Sequence, residues 1–307
     1  MTIANHRAPF NVTREARGRV PGDGVELAFG YWPGRGAPVV ALHGLTATYV
    51  NFIGIAERLA GRRPLFAVDL RGRGDSDKPE GPYGMAQHAR DVAEAMRAMG
   101  LKKSVIVGHS MGAFVATTLA AQEPTLVSGL VLIDGGYVPA VTGAPNAQQG
   151  LDAALALRIN QLRQTYPSRE EYRKFWRTQP HFPPADWNAW IEAFLDYELG
   201  GEPPNLRPKA SETAVRADLT EGFQREQIVK RLQAIRVPVL MFHAPAGFVP
   251  NQPPLYAEPM VAEMRSYAPT MEAELIPGTT HYTIVLGNSG ASRIADRIVE
   301  LADHCQG

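Results

Sequence analysis

Cysteine, net charge and long apolar runs are all scarce in this 307-residue chain. Its one cysteine, Cys305, cannot form an internal disulfide, which favours a reducing compartment. Lys plus Arg and Asp plus Glu number 31 each, so the sequence offers no excess charge for binding nucleic acid or an anionic membrane. A net charge of zero also weakens the repulsion between copies, which is compatible with a homo-oligomer.

Targeting and cofactor signals are missing as well. Residues 1–17 mix basic side chains with Pro9 and Asn11 and contain no apolar core of a signal peptide. No later stretch of about eighteen apolar residues would cross a membrane, so we expect a cytoplasmic protein. The sequence shows neither a ligand-spaced cluster of His and Cys nor a nucleotide-binding glycine pattern, so we expect no metal and no cofactor.

What the chain does carry is a Gly-x-Ser-x-Gly motif at residues 108–112. Three β-branched residues, 105–107, precede the motif, and an Ala-rich helical pattern follows it through Ala121. The motif is therefore predicted to form a sharp strand-to-helix turn, in which the two glycines allow strand and helix to approach. Such a turn presents the hydroxyl of Ser110 above the sheet as a nucleophile.

The surroundings of the motif extend this pattern. An apolar run at residues 37–42 ends in His43-Gly44-Leu45, and His281 follows a late apolar strand. Together these features resemble the α/β-hydrolase superfamily from about Gly22 to the C-terminus, apart from a middle insertion. The resemblance implies an α/β fold with a mostly parallel central sheet, helices on both faces and an inserted helical cap. It also implies an oxyanion hole formed by the backbone amides of Leu45 and Met111, with His43 bracing the loop.

The catalytic acid departs from the commonest pattern of the superfamily. That pattern places the acid after strand seven, predicted here at 237–243, but no Asp or Glu follows until Glu258. A minority of members, including pancreatic lipases and the fungal hydrolase that opens the macrolactone zearalenone, carry it after strand six. Asp134 directly follows predicted strand six, so we expect it to orient His281. Many relatives have an Asp here that only tethers a loop, and Glu258 is the alternative acid.

The predicted domains are a core of residues 1–136 and 233–307 and a helical cap of residues 137–232. The cap is rich in aromatic residues, and most of these rings are expected to form its own small core. One or two should line a pocket for a hydrophobic substrate. The candidates for substrate binding are His109 beside the nucleophile, Phe248 in the Pro-rich segment after strand seven, Trp176, and the pair Trp187 and Trp190, which would share one helix face.

The predicted chemistry is acyl transfer. His281 would accept the proton of Ser110, Asp134 would orient His281, and an acyl-enzyme would be hydrolysed by water. Bulky hydrophobic or aromatic carboxylic esters or lactones are the expected substrates, with zearalenone as the most specific example. A carbon–carbon bond hydrolase, an amidase or a perhydrolase could use the same residues, and a non-enzymatic ligand receptor could keep the fold. Epoxide hydrolases and haloalkane dehalogenases are excluded because they require an Asp nucleophile.

Overall fold

The computed structural model describes residues 16–138, 156, 159–221 and 224–305. Predictions that concern residues 1–15, and the parts of the predicted cap at 139–155, 157–158 and 222–223, lie outside these residues. No helix of the described part is both long enough and apolar enough to cross a membrane.

An eight-stranded sheet forms the centre of the molecule. The strands are β1 (Ala16–Pro21), β2 (Glu26–Trp32), β3 (Val39–Leu42), β4 (Leu65–Val68), β5 (Ser104–His109), β6 (Val127–Ile133), β7 (Val239–His243) and β8 (Met271–Leu275). They lie in the order β1-β2-β4-β3-β5-β6-β7-β8. Strand β2 runs antiparallel to β1 and β4, and the remaining neighbours are parallel. The central strands β3, β4 and β5 are buried along their whole length. Their continuous apolar sequences follow from this, because both faces of a parallel sheet are covered.

Helices cover both faces of the sheet. They are α1 (Ile53–Leu59), α2 (Met85–Ala98), α3 (Met111–Gln122), α4 (Arg169–Thr178), α5 (Ala189–Glu198), α6 (Glu212–Glu221), α7 (Arg225–Ala234), α8 (Glu258–Tyr267), α9 (Thr283–Leu286) and α10 (Asn288–His304). Alternate residues of β3 belong to different cores, with Val39 and Ala41 packed in the core that contains α1 and α10. Val40 and Leu42 pack in the core that contains α2 and α3. The sheet thus separates two hydrophobic layers, as the alternation of side chains along a strand requires.

The chain between β6 and β7 carries α4 to α7 and a short antiparallel ribbon of Leu199–Gly200 with Arg207–Pro208. We call residues 137–232 the β6–β7 insertion. Helix α5 begins at Ala189 because the side chain of Asn188 accepts hydrogen bonds from the backbone amides of Trp190 and Ile191. Trp187 therefore precedes the helix, and the prediction that it shares a helix face with Trp190 is wrong.

The chain segments that follow the parallel strands β5, β6 and β7 all begin at the same edge of the sheet. His109 at the end of β5 is opposite Ile133 at the end of β6, and Ile133 is opposite Phe242 near the end of β7. The residues that follow these strands, Ser110 and Asp134 among them, therefore lie close together at the carboxyl edge.

Candidate active site

The turn at Ser110 joins β5 directly to α3. Ser110 has a φ of 55° and a ψ of −120°, a conformation that residues with a side chain rarely adopt. The glycines of the motif allow this turn, because a Cβ on Gly108 would overlap the carbonyl of Gly112 and a Cβ on Gly112 would overlap that of Leu42. The sequence motif therefore forms a strained turn that directs Ser110 into the adjoining cavity.

A buried histidine–carboxylate pair lies beside this turn. The Nδ1 atom of His281 is 2.7 Å from Oδ2 of Asp134, and both side chains are almost completely buried. An ionised carboxylate only accepts hydrogen bonds, so Nδ1 of His281 is the donor and Nε2 is left without a proton in the neutral ring. The second carboxylate oxygen of Asp134 accepts a hydrogen bond of 3.2 Å from the backbone amide of Ala244.

Glu258, the alternative acid, lies elsewhere. Its side chain is 81% exposed at the start of α8, and its carboxylate is 3.8 Å from Nε2 of His243. Of the two acids considered from the sequence, Asp134 is the one in contact with His281.

The loop after β3 passes close to Ser110. A Cβ on Gly44 would lie 3.1 Å from Cβ and 3.5 Å from Oγ of Ser110. His43 holds this loop, with Nδ1 donating to the carbonyl of Gly44 at 2.7 Å and Nε2 accepting from the backbone amide of Leu70 at 3.0 Å. Burial lowers the pKa of His43 to about 3, so the ring stays neutral with one donor and one acceptor. Leu45 and Met111 both line the cavity next to this loop.

His109 supports the candidate base rather than titrating itself. Its Nε2 atom donates to the backbone carbonyl of His281 at 2.9 Å, and its Nδ1 atom lies 3.1 Å from the side-chain nitrogen Nδ2 of Asn51. The two imidazole rings are 4.7 Å apart. Burial, together with the neighbouring His281, lowers the pKa of His109 well below its usual value, so it is neutral and can keep this arrangement.

A cavity of about 410 Å³ opens above Ser110 and His281. This volume falls within the range of small-molecule sites. Aromatic rings from the β6–β7 insertion and the segment after β7 form much of its wall: Tyr137, Tyr166, Tyr172, Phe175, Trp176, Phe182, Phe194, Phe248 and Tyr256. Besides Asp134, the buried acidic side chains of Glu198 and Asp218 line it.

Five residues were predicted from the sequence to contact substrate, and the structure divides them. His109, Trp176 and Phe248 line the cavity. Trp187 and Trp190 are not among its lining residues, and we correct that prediction. The indole nitrogen of Trp187 donates instead to Glu192 and that of Trp190 to Glu57, both at 2.8 Å.

Two charged residues near the site, Arg73 and Asp218, were not predicted from the sequence. Both are buried, and they form an ion pair that connects the turn after β4 to α6. Arg73 lies in a Gly- and charge-rich turn that is readily explained as a local structural feature. Its partner is 145 residues away, so no local sequence pattern points to the contact. No group of His, Cys, Asp and Glu able to hold a metal occurs within the described residues.

The fold and the site are those of an α/β-type hydrolase. A family model for the alpha/beta hydrolase fold matches residues 37–252, and the chain therefore belongs to that family. It is 30% identical over 251 residues to 2-(acetamidomethylene)succinate hydrolase of Mesorhizobium japonicum, covering 81% of this chain and 83% of the relative. It is 28% identical to N-formylmaleamate deformylase of Pseudomonas putida, covering 87% and 90% of the two chains.

Solved structures agree with this assignment. The crystal structure of E-2-(acetamidomethylene)succinate hydrolase superimposes with a TM-score of 0.78 at 25% identity. The match covers 94% of this chain and 100% of that one. The likeness therefore extends over most of this chain.

Proposed function

We propose that this hydrolase cleaves carboxylic esters or lactones of bulky, uncharged substrates through an acyl-enzyme on Ser110. The observation that carries the proposal is the hydrogen bond between His281 and Asp134 at the same cavity that Ser110 lines. A serine hydroxyl is a weak nucleophile by itself and requires a neighbouring base that is held in one tautomer. His281, with Nδ1 occupied by Asp134, meets this requirement.

The reaction would proceed in two stages. Nε2 of His281 accepts the proton as Oγ of Ser110 attacks the carbonyl carbon, and the backbone amides of Leu45 and Met111 bind the developing oxyanion. Protonated His281 then donates its proton to the leaving oxygen, which leaves Ser110 acylated. Water, deprotonated by His281, hydrolyses this ester and regenerates the serine.

The walls of the cavity support a neutral, aromatic substrate. The aromatic side chains of the β6–β7 insertion and of Phe248 supply apolar surface against which an aryl group or another hydrophobic ring of the substrate would pack. No arginine or lysine is among the described residues that line the cavity, so an anionic substrate would find no cationic partner there. A macrolactone that contains an aryl ring, such as zearalenone, has both an ester bond that Ser110 would attack and an aromatic surface that would pack against these rings.

Amide hydrolysis is the second candidate, and it is favoured by the names of the relatives. One relative is named as a hydrolase of an acetamido compound and another as a deformylase of an N-formyl compound. The same residues could serve, with His281 protonating a leaving nitrogen. The relatives' substrates are also named as a succinate and a maleamate, which carry acid groups, and the described lining of this cavity contains no arginine or lysine to pair with them.

The test compares kcat/KM for a matched ester and amide, 4-nitrophenyl phenylacetate and its 4-nitroanilide, together with zearalenone and 2-(acetamidomethylene)succinate. We expect the ester and the lactone to be preferred, and no turnover by Ser110→Ala. A preference for the anilide or the succinate would replace our proposal with the second candidate. A fluorophosphonate that fails to label Ser110 in the wild-type protein would overturn both.

A further inference from the structure

Arg73 contacts both residues whose amides are assigned to the oxyanion hole. Its side chain is completely buried in the turn after β4. Nε donates to the carbonyl of Leu45 at 2.9 Å, and Nη2 lies 4.0 Å from Sδ of Met111. Nη1 donates to the carbonyl of Arg71 at 3.1 Å, which fixes the guanidinium to its own turn. The rigid guanidinium of Arg73 therefore contacts both the loop after β3 and Met111, the first residue of α3.

The charge of this guanidinium is balanced by Asp218 from α6. Nη1 of Arg73 is 2.5 Å from Oδ2 of Asp218. The same carboxylate accepts hydrogen bonds from Nε2 of His88 at 2.9 Å and from the backbone amide of Gly84 at 2.7 Å. Burial opposes ionisation of Asp218, but Arg73 and His88 outweigh it and hold its pKa below the usual range. The pair is therefore ionised and saturated with partners, the arrangement that a buried charge requires.

Helix α6 is seated on the same turn by two further contacts. The backbone amide of Ser211 donates to the carbonyl of Gly72 at 2.7 Å. Gly72 has a φ of +79°, and a Cβ at this position would overlap the side chain of Ala214. Asp218 also lines the cavity, so α6 contacts both the substrate space and the support of the oxyanion loop.

We propose that Arg73 is a positioning residue for the oxyanion hole and that Asp218 couples this position to α6 of the insertion. This inference rests on the proposed function, because it assigns a role to the same site. The carbonyl and the amide N–H of Leu45 are attached on either side of the same α-carbon. A hydrogen bond from Arg73 to the carbonyl therefore restricts the direction in which the N–H points. A displacement of about 1 Å in such a site can lower the rate about 100-fold.

Arg71 provides a matched control in the same turn. It is also buried and forms an ion pair, with Asp91, but its side-chain contacts reach Asp91 and the carbonyls of Asp23 and Pro82 rather than the oxyanion loop. Arg73→Lys and Arg71→Lys both keep the charge and lose the planar fork of donors. We would therefore expect similar losses of thermal stability from the two variants but different kinetics.

The experiment measures kcat, KM and the inhibition constant of an aryl boronic acid, whose tetrahedral adduct places an oxygen in the oxyanion hole. Active sites are counted with a fluorophosphonate, so that unfolded protein does not enter kcat. For Arg73→Lys we expect kcat to fall between about 10- and 100-fold, KM to change less than about threefold, and boronate affinity to fall in step with kcat/KM. Arg71→Lys should keep kcat within about twofold of the wild-type value.

Equal kcat losses in the two variants, or a loss confined to KM, would overturn the positioning role of Arg73. If Arg73→Lys does not fold, Asp218→Asn replaces it, because the amide oxygen still accepts from the guanidinium while the charge is lost. An unchanged kcat and boronate affinity in Asp218→Asn would overturn the coupling to α6. These outcomes differ from failure of the proposed function, in which the wild-type protein itself would show no labelling and no turnover.

Discussion

The side chains of His281 and Asp134 meet at 2.7 Å although 147 residues separate them in the chain. The contact depends on β7, because the backbone amide of Asp134 donates to the carbonyl of Phe242 at 2.7 Å and its side chain accepts from Ala244. Asp134 also has a φ of 45°, so its backbone is held in a rarely populated conformation. One hydrogen bond to β7 and one to the residue that follows it thus fix the direction of the carboxylate towards His281.

Replacing this carboxylate by an amide tests its assigned role. In Asp134→Asn the side chain has nearly the same shape, but its NH2 group can face Nδ1 of His281 and favour the wrong tautomer. We expect kcat to fall by about 10⁴-fold with little change in KM. Steady-state kinetics with 4-nitrophenyl phenylacetate measure this. Glu258→Gln is the control and should keep full activity, and the reverse result in the two variants would move the acid to Glu258.

Much of this arrangement could be predicted from the sequence because it depends on local patterns. The β-branched run and the two glycines define the turn at Ser110, and the empty acid position after strand seven directs attention to Asp134. The pairing of Arg73 with Asp218 was not predictable in this way, because it arises only when α6 docks on the turn after β4. The error at Trp187 has a local cause, since Asn188 caps α5 one residue later. Spacing alone does not show where a helix begins.

His43 should make stability depend on pH. Its folded-state pKa of about 3 lies below the ordinary value of 6.5, so the folded state holds the neutral ring. The stabilisation is complete above pH 6.5 and is lost as pH falls towards 3, because the unfolded chain binds the proton first. The slope contributed reaches about 1.4 kcal/mol per pH unit. Urea unfolding at pH 7 and pH 4.5 should therefore show a smaller change for His43→Gln than for the wild type.

His304→Gln is the control for this measurement, because His304 is exposed near the end of α10. The change between pH 7 and pH 4.5 should be larger in His304→Gln than in His43→Gln. An unchanged slope in His43→Gln would show that other groups account for acid destabilisation.

Trp176 and Trp187 should differ in their effect on specificity. Trp176 lines the cavity, whereas Trp187 packs under Arg177, whose guanidinium carbon is 4.7 Å from the ring centre. Trp176→Phe removes wall area next to a bulky acyl group, so we expect the preference for phenylacetate over acetate esters to fall about tenfold. Trp187→Phe should leave this ratio unchanged. The measurement is the ratio of kcat/KM for the two 4-nitrophenyl esters, and equal effects of the two variants would argue against Trp176 as a wall of the site.

A methyl group at Gly44 should disturb the nucleophile without unfolding the protein. The Cβ of Gly44→Ala would lie 3.1 Å from Cβ of Ser110, so one of the two must move by a few tenths of an ångström. We expect kcat to fall about tenfold, because the reacting atoms and the oxyanion donors tolerate little displacement. Gly129→Ala is the matched control, since its Cβ would meet Cδ2 of Leu301 at 3.2 Å, away from the cavity.

Both alanine variants should melt within a few degrees of the wild type, since the nearest side-chain atom lies 3.1 Å from the new Cβ at Gly44 and 3.2 Å from that at Gly129. Kinetics on phosphonate-titrated protein then separate the two positions, with Gly129→Ala retaining the wild-type kcat. If Gly44→Ala also retained it, the loop after β3 would tolerate movement beside Ser110, and the close approach of Gly44 to the nucleophile would serve packing rather than catalysis.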